Sequence, residues 1–155
     1  MPRAGPALII GMPAALDEST DFGRHVIRRL NDEPLIWMTT IGRRSNAPVP
    51  SLVWFLWDGS QVLVVSQPNK PKLYNVDANP RVALNLEAAR GGDDVAVISG
   101  TAVYDHTGLT GGERESYAVK YADGIARLGF ASPPAFLDTF SELIRITPER
   151  VRGFN

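Results

Sequence analysis

The sequence predicts a mainly β protein of the α+β class: about six antiparallel strands closed into a small barrel, with helices at its edges. Three observations carry this. Strand patterns recur along the chain and are joined mostly by turns of hairpin length. One of them, Val49 to Trp57, is largely apolar on both faces, as in a strand buried on both sides. One short helix lies between two strand patterns, opened by Pro71 and closed by Asn79-Pro80.

The elements follow in order. Residues 1–16 hold the apolar run Ala7-Leu8-Ile9-Ile10, but prolines break it and Arg3 is the sole positive charge. They read as a flexible N-terminal arm and not as a signal peptide, leaving 17–155 as one domain. Ser19, Thr20 and Asp21 offer N-caps for a first helix. Phe22, Val26 and Leu30 form its apolar stripe, and it ends before Pro34. Leu35 to Ile41 reads as a strand and Gly42 to Pro48 as a polar turn. Val49 to Trp57 is the next strand. Asp58-Gly59 signals a tight hairpin into Gln61 to Ser66. After the short helix come the strand Val82 to Glu87, a glycine- and acid-rich turn at 89–94, and a long strand from Val95 to Tyr104 with a bend expected at Gly100. Thr110 to Tyr121 reads as a helix, and Pro134 to Phe140 as a shorter one. The final strand, Glu142 to Thr147, is expected to stop at Pro148.

At 155 residues the chain suits one domain with a sizeable core. A net charge of -1 implies no bulk attraction to nucleic acid or to an anionic membrane. No apolar run approaches the roughly 20 residues of a membrane span. The chain contains no cysteine, which excludes disulfides, thiolate metal sites and cysteine nucleophiles. That fits a reducing compartment, and a cytoplasmic location is expected.

The short helix carries its charges the wrong way round. Lys70 and Lys72 stand at its start and Asp77 near its end. Lysines at the positive end of a helix dipole cost about 0.3–1 kcal/mol each. A bound anion reverses that sign, because backbone N–H groups and both ammonium groups then face one ligand. Ser66 and Gln67 add neutral hydrogen-bonding groups just upstream. The pattern therefore points to a phosphate site. The plainer alternative is two solvated surface lysines whose penalty is screened by salt.

Little else offers chemistry. His25 and His106 are the only histidines and have no partner at metal-ligand spacing. There is no nucleophile-elbow pattern and no Gly-x-Gly-x-x-Gly after a strand. Trp37, Trp54 and Trp57 read first as packing residues. A barrel with a phosphate-like site and no catalytic side chains fits a protein whose bound cofactor does the chemistry.

Several runs, taken together, resemble a known family. They are Met38-Thr39-Thr40-Ile41, Pro48-Val49-Pro50-Ser51-Leu52-Val53-Trp54-Phe55-Leu56-Trp57-Asp58-Gly59, Ser66-Gln67-Pro68, Lys72-Leu73-Tyr74-Asn75-Val76 and Asn79-Pro80-Arg81-Val82-Ala83-Leu84. They resemble the split-barrel flavin and deazaflavin oxidoreductases, the superfamily of pyridoxamine 5'-phosphate oxidase, and within it the actinobacterial branch that uses coenzyme F420. The ending Arg145-Ile146-Thr147-Pro148-Glu149-Arg150-Val151-Arg152-Gly153 resembles the same branch, so the likeness spans residues 20–153.

The resemblance implies a six-stranded Greek-key split barrel and a homodimer with cofactor sites at the subunit interface. It implies that Lys72 meets the cofactor phosphate, with Ser66, Gln67 and Lys70 nearby, and that Ser51, Leu52 and Val53 lie along the ring system. Asn75 belongs to the same site and holds helix and loop together. It further implies an F420-dependent reductase passing hydride to a small electron-poor substrate. FMN is the alternative cofactor, and a non-catalytic carrier of either cofactor is the alternative role. The pyridoxamine oxidases place an arginine directly before the lysine, where this chain has Pro71. That departure favours F420 over FMN, whose dianionic terminal phosphate gains most from a bidentate guanidinium.

Overall fold

The structure is a computed structural model and describes residues 16–88 and 91–155. The N-terminal arm up to residue 15, and residues 89 and 90 of the turn expected at 89–94, lie outside that range. Leu16 is buried in the core.

Among the described residues, seven strands form one antiparallel sheet, one more than expected. They are β1 (Ile36–Ile41), β2 (Pro48–Val53), β3 (Leu56–Trp57), β4 (Val62–Ser66), β5 (Arg81–Asn85), β6 (Val95–Asp105) and β7 (Glu142–Phe154). Their order across the sheet is β2-β1-β5-β6-β7-β4-β3. The two edge strands, β2 and β3, are consecutive in the chain, with Trp54 and Phe55 alone between them. Three Cα steps reach about 11 Å at most, so the two edges of the sheet have to meet. The sheet therefore curls into a half-barrel. This is the split-barrel architecture, with helices α1 (Asp21–Asp32), α2 (Pro71–Ala78), α3 (Gly111–Arg127) and α4 (Pro133–Thr139) around it.

The additional strand arises because Val49 to Trp57 is broken, not continuous. The Tyr121 hydroxyl captures the backbone at the break. It accepts the Phe55 N–H at 2.9 Å and lies 2.8 Å from the carbonyl oxygens of Phe55 and Pro34, one of which takes its proton. Trp54 turns out of the ladder and stacks on Tyr121, with centroids 4.5 Å apart. It crosses Gly124 so closely that a Cβ there would sit 2.9 Å from the indole. The expectation that both faces of this stretch are buried is corrected in the same way. Val53 and Phe55 to Trp57 are buried, whereas Pro48, Pro50 and Leu52 are exposed. Prolines lack the N–H that an inner strand would need, so they belong on an edge.

Pro148 does not end the last strand. β7 runs on to Phe154, and the ladder with β6 shifts register between Ser99 and Gly100. Gly100 pairs with Pro148 and Ser99 with Arg150, so Glu149 is the extra residue of a bulge. The bulge needs Gly100, where a Cβ would meet the Thr147 carbonyl oxygen at 2.3 Å. The helices otherwise lie close to their expected places. Thr20 caps α1 through the Gly23 N–H at 2.9 Å. α3 runs past Tyr121 to Arg127 from a reciprocal cap between Thr110 and Glu113.

The core is in two parts. The barrel interior packs Met38, Phe55, Val64, Leu73, Leu84, Ile98 and Ile146, with α1 contributing Val26 and Leu30. On the other side of β4 and β7, helices α3 and α4 bury Tyr117, Tyr121, Ile125, Phe136 and Leu137 against Leu63 and Leu143. β4 is consequently buried at every residue. The outer side of β1 and β2 is different: Trp37 and Leu52, partners across the ladder, are 39% and 49% exposed.

Candidate functional site

α2 begins where the sequence places it. Pro71 is its first residue, Lys70 is an N-cap without a side-chain hydrogen bond, and Asn79 closes it. Its apolar residues Leu73 and Val76 enter the barrel core. Its N-terminal end therefore stays at the surface, against the turn between β1 and β2.

That turn is tight. Gly42 donates to the Ala47 carbonyl and accepts from the Asn46 N–H, both at 2.8 Å, and Asn46 adopts φ 54°. Two cationic side chains, Arg43 and Arg44, project from it. Asn75 ties the turn to α2. Its Oδ1 accepts the Arg43 backbone N–H at 2.9 Å and its Nδ2 donates to the Thr40 hydroxyl at 3.1 Å. Asn75 and Thr40 are both buried, so each bond replaces solvation that the groups have lost.

Between turn and helix lies a cleft of about 450 Å³, lined by Gly42, Arg43, Arg44, Ser45, Val49, Asn69, Pro71, Tyr74 and Asn75. The Arg43 guanidinium lies over the Tyr74 ring, 5.1 Å from its centroid. The Tyr74 hydroxyl donates to Asn69 Oδ1 at 2.9 Å, and Asn69 holds φ 62°. Lys70 and Lys72 flank Pro71 at the same helix end. Lys72 is half-buried. Burial first, and then the charge of Lys70, hold its ammonium pKa below the ordinary value. Among the described residues, none of these four cations has an ion-pair partner.

The residues singled out from sequence fall into two groups. Ser66, Gln67, Lys70, Lys72 and Asn75 follow one another from the end of β4 into α2, and of all eight only Asn75 lines the cleft. Ser66 is buried and its hydroxyl donates to the Gln67 carbonyl at 2.8 Å. Ser51, Leu52 and Val53 close β2, paired with Met38, Trp37 and Ile36. Ser51 shares the strand face of Val49, which lines the cleft, while Leu52 points to the opposite side and Val53 is buried in the core. Arg43 and Arg44 were not singled out. Their signal is two adjacent arginines in a glycine-opened turn with no acid beside them.

A second cleft of about 260 Å³ lies between α4 and the β6–α3 connection. Its arginine, Arg114, stands 3.6 Å from Asp138, and Glu142 also lines it, so it lacks the excess of positive charge.

A curled antiparallel sheet whose two edges meet, with a cleft lined by arginines beside a helix start, defines a split-barrel protein. Comparison with known proteins narrows this. The model of the F420H(2)-dependent quinone reductase family matches residues 15–122, and the chain belongs to that family. It is an oxidoreductase, and its cofactor is coenzyme F420. Solved structures share the fold. A candidate pyridoxamine 5'-phosphate oxidase from Listeria innocua is 22% identical, with 84% of this chain and 95% of that one covered and a TM-score of 0.59. A conserved hypothetical protein from Mycobacterium tuberculosis is 18% identical, with 92% and 87% covered and a TM-score of 0.64. An F420 reductase is 22% identical, with 80% and 94% covered and a TM-score of 0.55. Comparison with curated protein sequences finds no match. Among the described residues, no helix is long and apolar enough to cross a membrane.

The residues present fit the cofactor's phosphate and acidic tail. Arg43 and Arg44 line the cleft and Lys70 and Lys72 flank Pro71 at its rim, all four without carboxylate partners among the described residues, and burial holds the Lys72 ammonium pKa down in a way that a bound anion would relieve.

Proposed function

We propose that the chain is a reductase that uses reduced F420 to reduce a small electron-poor organic acceptor of the quinone class, in the cytoplasm, as a homodimer. The observation that carries this reading is a cleft lined by Arg43 and Arg44 and flanked in the chain by Lys70 and Lys72, none of them ion-paired among the described residues. When bound, the cofactor supplies a hydride. The chain's own residues bind and orient. Arg43, Arg44, Lys70 and Lys72 hold phosphate and tail carboxylates, with Ser66 and Gln67 beside them. Asn75 keeps the arginine turn on α2. Of the three residues expected along the ring system, Ser51 shares the cleft-side face of Val49 and borders it, while Leu52 lies on the opposite side and Val53 in the core. Positioning and the exclusion of water then do the protein's share, and the acceptor's proton comes from solvent.

The dimer reading rests on the outer side of β1 and β2. Leu52, Trp37, Asn85 and Val97 form one row across four strands, and Pro50, Thr39, Ala83 and Ser99 form the next. The exposed Trp37, Leu52 and Pro50 make one end of these rows apolar and open, as at an interface. Light scattering should give twice the 16.9 kDa chain mass, about 34 kDa. A monomer at micromolar concentration would remove the interfacial site.

The function is tested by fluorescence titration with F420 and with FMN, then by anaerobic turnover of the reduced cofactor against quinones and activated enones. F420 binding with quinone reduction is expected. Tight FMN binding without measurable F420 binding would overturn the reading.

A further inference from the structure

We propose that Tyr74 is the positioning residue for Arg43, and that the two form a preset phosphate clamp. The proposal rests on the F420 reading only for the identity of the phosphate's carrier. α2 holds Arg43 at both ends through adjacent residues. Asn75 takes its backbone N–H at 2.9 Å, and the Tyr74 ring lies under its guanidinium carbon, 5.1 Å from the ring centroid. The Tyr74 ring is itself fixed by its hydroxyl bond to Asn69 at 2.9 Å.

Stacking and anion binding use different parts of the guanidinium. The ring meets the cationic carbon, whereas a phosphate takes the N–H donors two at a time. Among the described residues, no carboxylate occupies those donors. A free arginine loses rotamer freedom when it grips an anion, and an arginine already resting on a ring loses less. Tyr74 thus acts on affinity through Arg43 without touching the anion.

The experiment titrates inorganic phosphate into wild-type, Tyr74→Leu, Tyr74→Phe, Arg43→Lys and Arg43→Ala proteins, following the arginine Nε–H signals by NMR. Tyr74→Leu should weaken phosphate about twofold to thirtyfold. Tyr74→Phe, which keeps the ring, should stay within about threefold of wild type. Arg43→Lys, an exposed change that leaves the fold alone, should behave like Tyr74→Leu because it lacks the planar fork. In an Arg43→Ala background, Tyr74→Leu should have no further effect. Wild-type affinity in Tyr74→Leu or Arg43→Lys, an additive double mutant, or no phosphate binding by wild type at millimolar concentration would each overturn the clamp. A parallel F420 titration separates the two readings. Phosphate binding that depends on Tyr74 without F420 binding would sink the cofactor assignment and leave the clamp. F420 binding indifferent to Tyr74→Leu would do the reverse.

Discussion

Arg145 and Arg43 are the same residue type in opposite circumstances. Arg145, on β7, is surrounded by acids. Its Nε donates to Asp105 Oδ2 at 2.6 Å, and its two terminal nitrogens donate to the two oxygens of Glu113 at 2.8 and 2.9 Å. All three side chains are at most 20% exposed. The group joins the end of β6, the start of α3 and β7, and each of the three guanidinium nitrogens donates to a carboxylate. Arg43 has a ring beneath it and, among the described residues, no carboxylate near it. The first arrangement spends its charge on the fold. The second leaves positive charge on a concave surface, where it costs stability and favours an anion. On the proposed reading, the chain separates structural from binding cations by whether acids accompany them.

The sharpest test removes each arginine in turn. Arg145→Ala strands two shielded carboxylates and should lower unfolding free energy by about 3 kcal/mol in a denaturant titration, with cofactor affinity unchanged. Arg43→Ala should do the opposite. Stability should move by no more than about 0.5 kcal/mol, while F420 binding by fluorescence should weaken about tenfold to hundredfold. Comparable stability losses in the two variants would erase the distinction.

The contrast also predicts acid behaviour. Hydrogen bonds from Thr107 and Arg145 bring the Asp105 carboxyl down to about 2, and Arg145 foremost holds Glu113 below its ordinary value. Carboxylates with depressed folded-state pKa values contribute stability above their unfolded pKa, and that contribution is lost as pH falls through the folded one. Wild-type stability should therefore decline between about pH 4 and pH 2, by roughly 1–2 kcal/mol. Arg145→Ala should flatten the Glu113 share of that decline and part of the Asp105 share, which Thr107 also supports. An unchanged acid limb in the variant would assign it to other groups.

What the sequence disclosed, and what it hid, follows the range of the interactions. α2 was legible because Pro71 and Asn79-Pro80 punctuate it locally, and its reversed charge pattern is visible within eight residues. The break in Val49 to Trp57 was not, since it is made by a tyrosine 66 positions away, and nothing in the strand's own alternation announces it. The passage of β7 through Pro148 depends on Gly100 accepting the bulge from the facing strand. The cleft was half legible. The lysines beside it stand at the helix start, but Arg43 joins them only when Asn75 draws in a turn 32 residues distant. Arginines in a turn look solvated until the fold gives them a concave neighbour.

Lys72 offers a small effect on stability, opposite in sign to that of Arg145. Its folded-state pKa is below the ordinary lysine value of 10.5, through burial and then through Lys70. The unfolded chain therefore binds its proton more readily between those two pKa values, and stability rises with pH across that window. At neutral pH the charged lysine is a burden on the fold, increased by its place at a helix N-terminus. Lys72→Gln should leave stability unchanged or raise it by up to about 0.5–1 kcal/mol, where Arg145→Ala lowers it. Cofactor binding should respond in the other direction. A charge-assisted bond to phosphate is worth about 1.5–3 kcal/mol, so affinity should fall about tenfold to hundredfold. Wild-type affinity should also decline as pH rises through the lowered Lys72 pKa, and the variant should lack that step. Thermal melts with and without F420, repeated across alkaline pH, measure both signs in one series. A Lys72→Gln protein that is less stable yet binds as tightly as wild type would move this lysine to the side of Arg145.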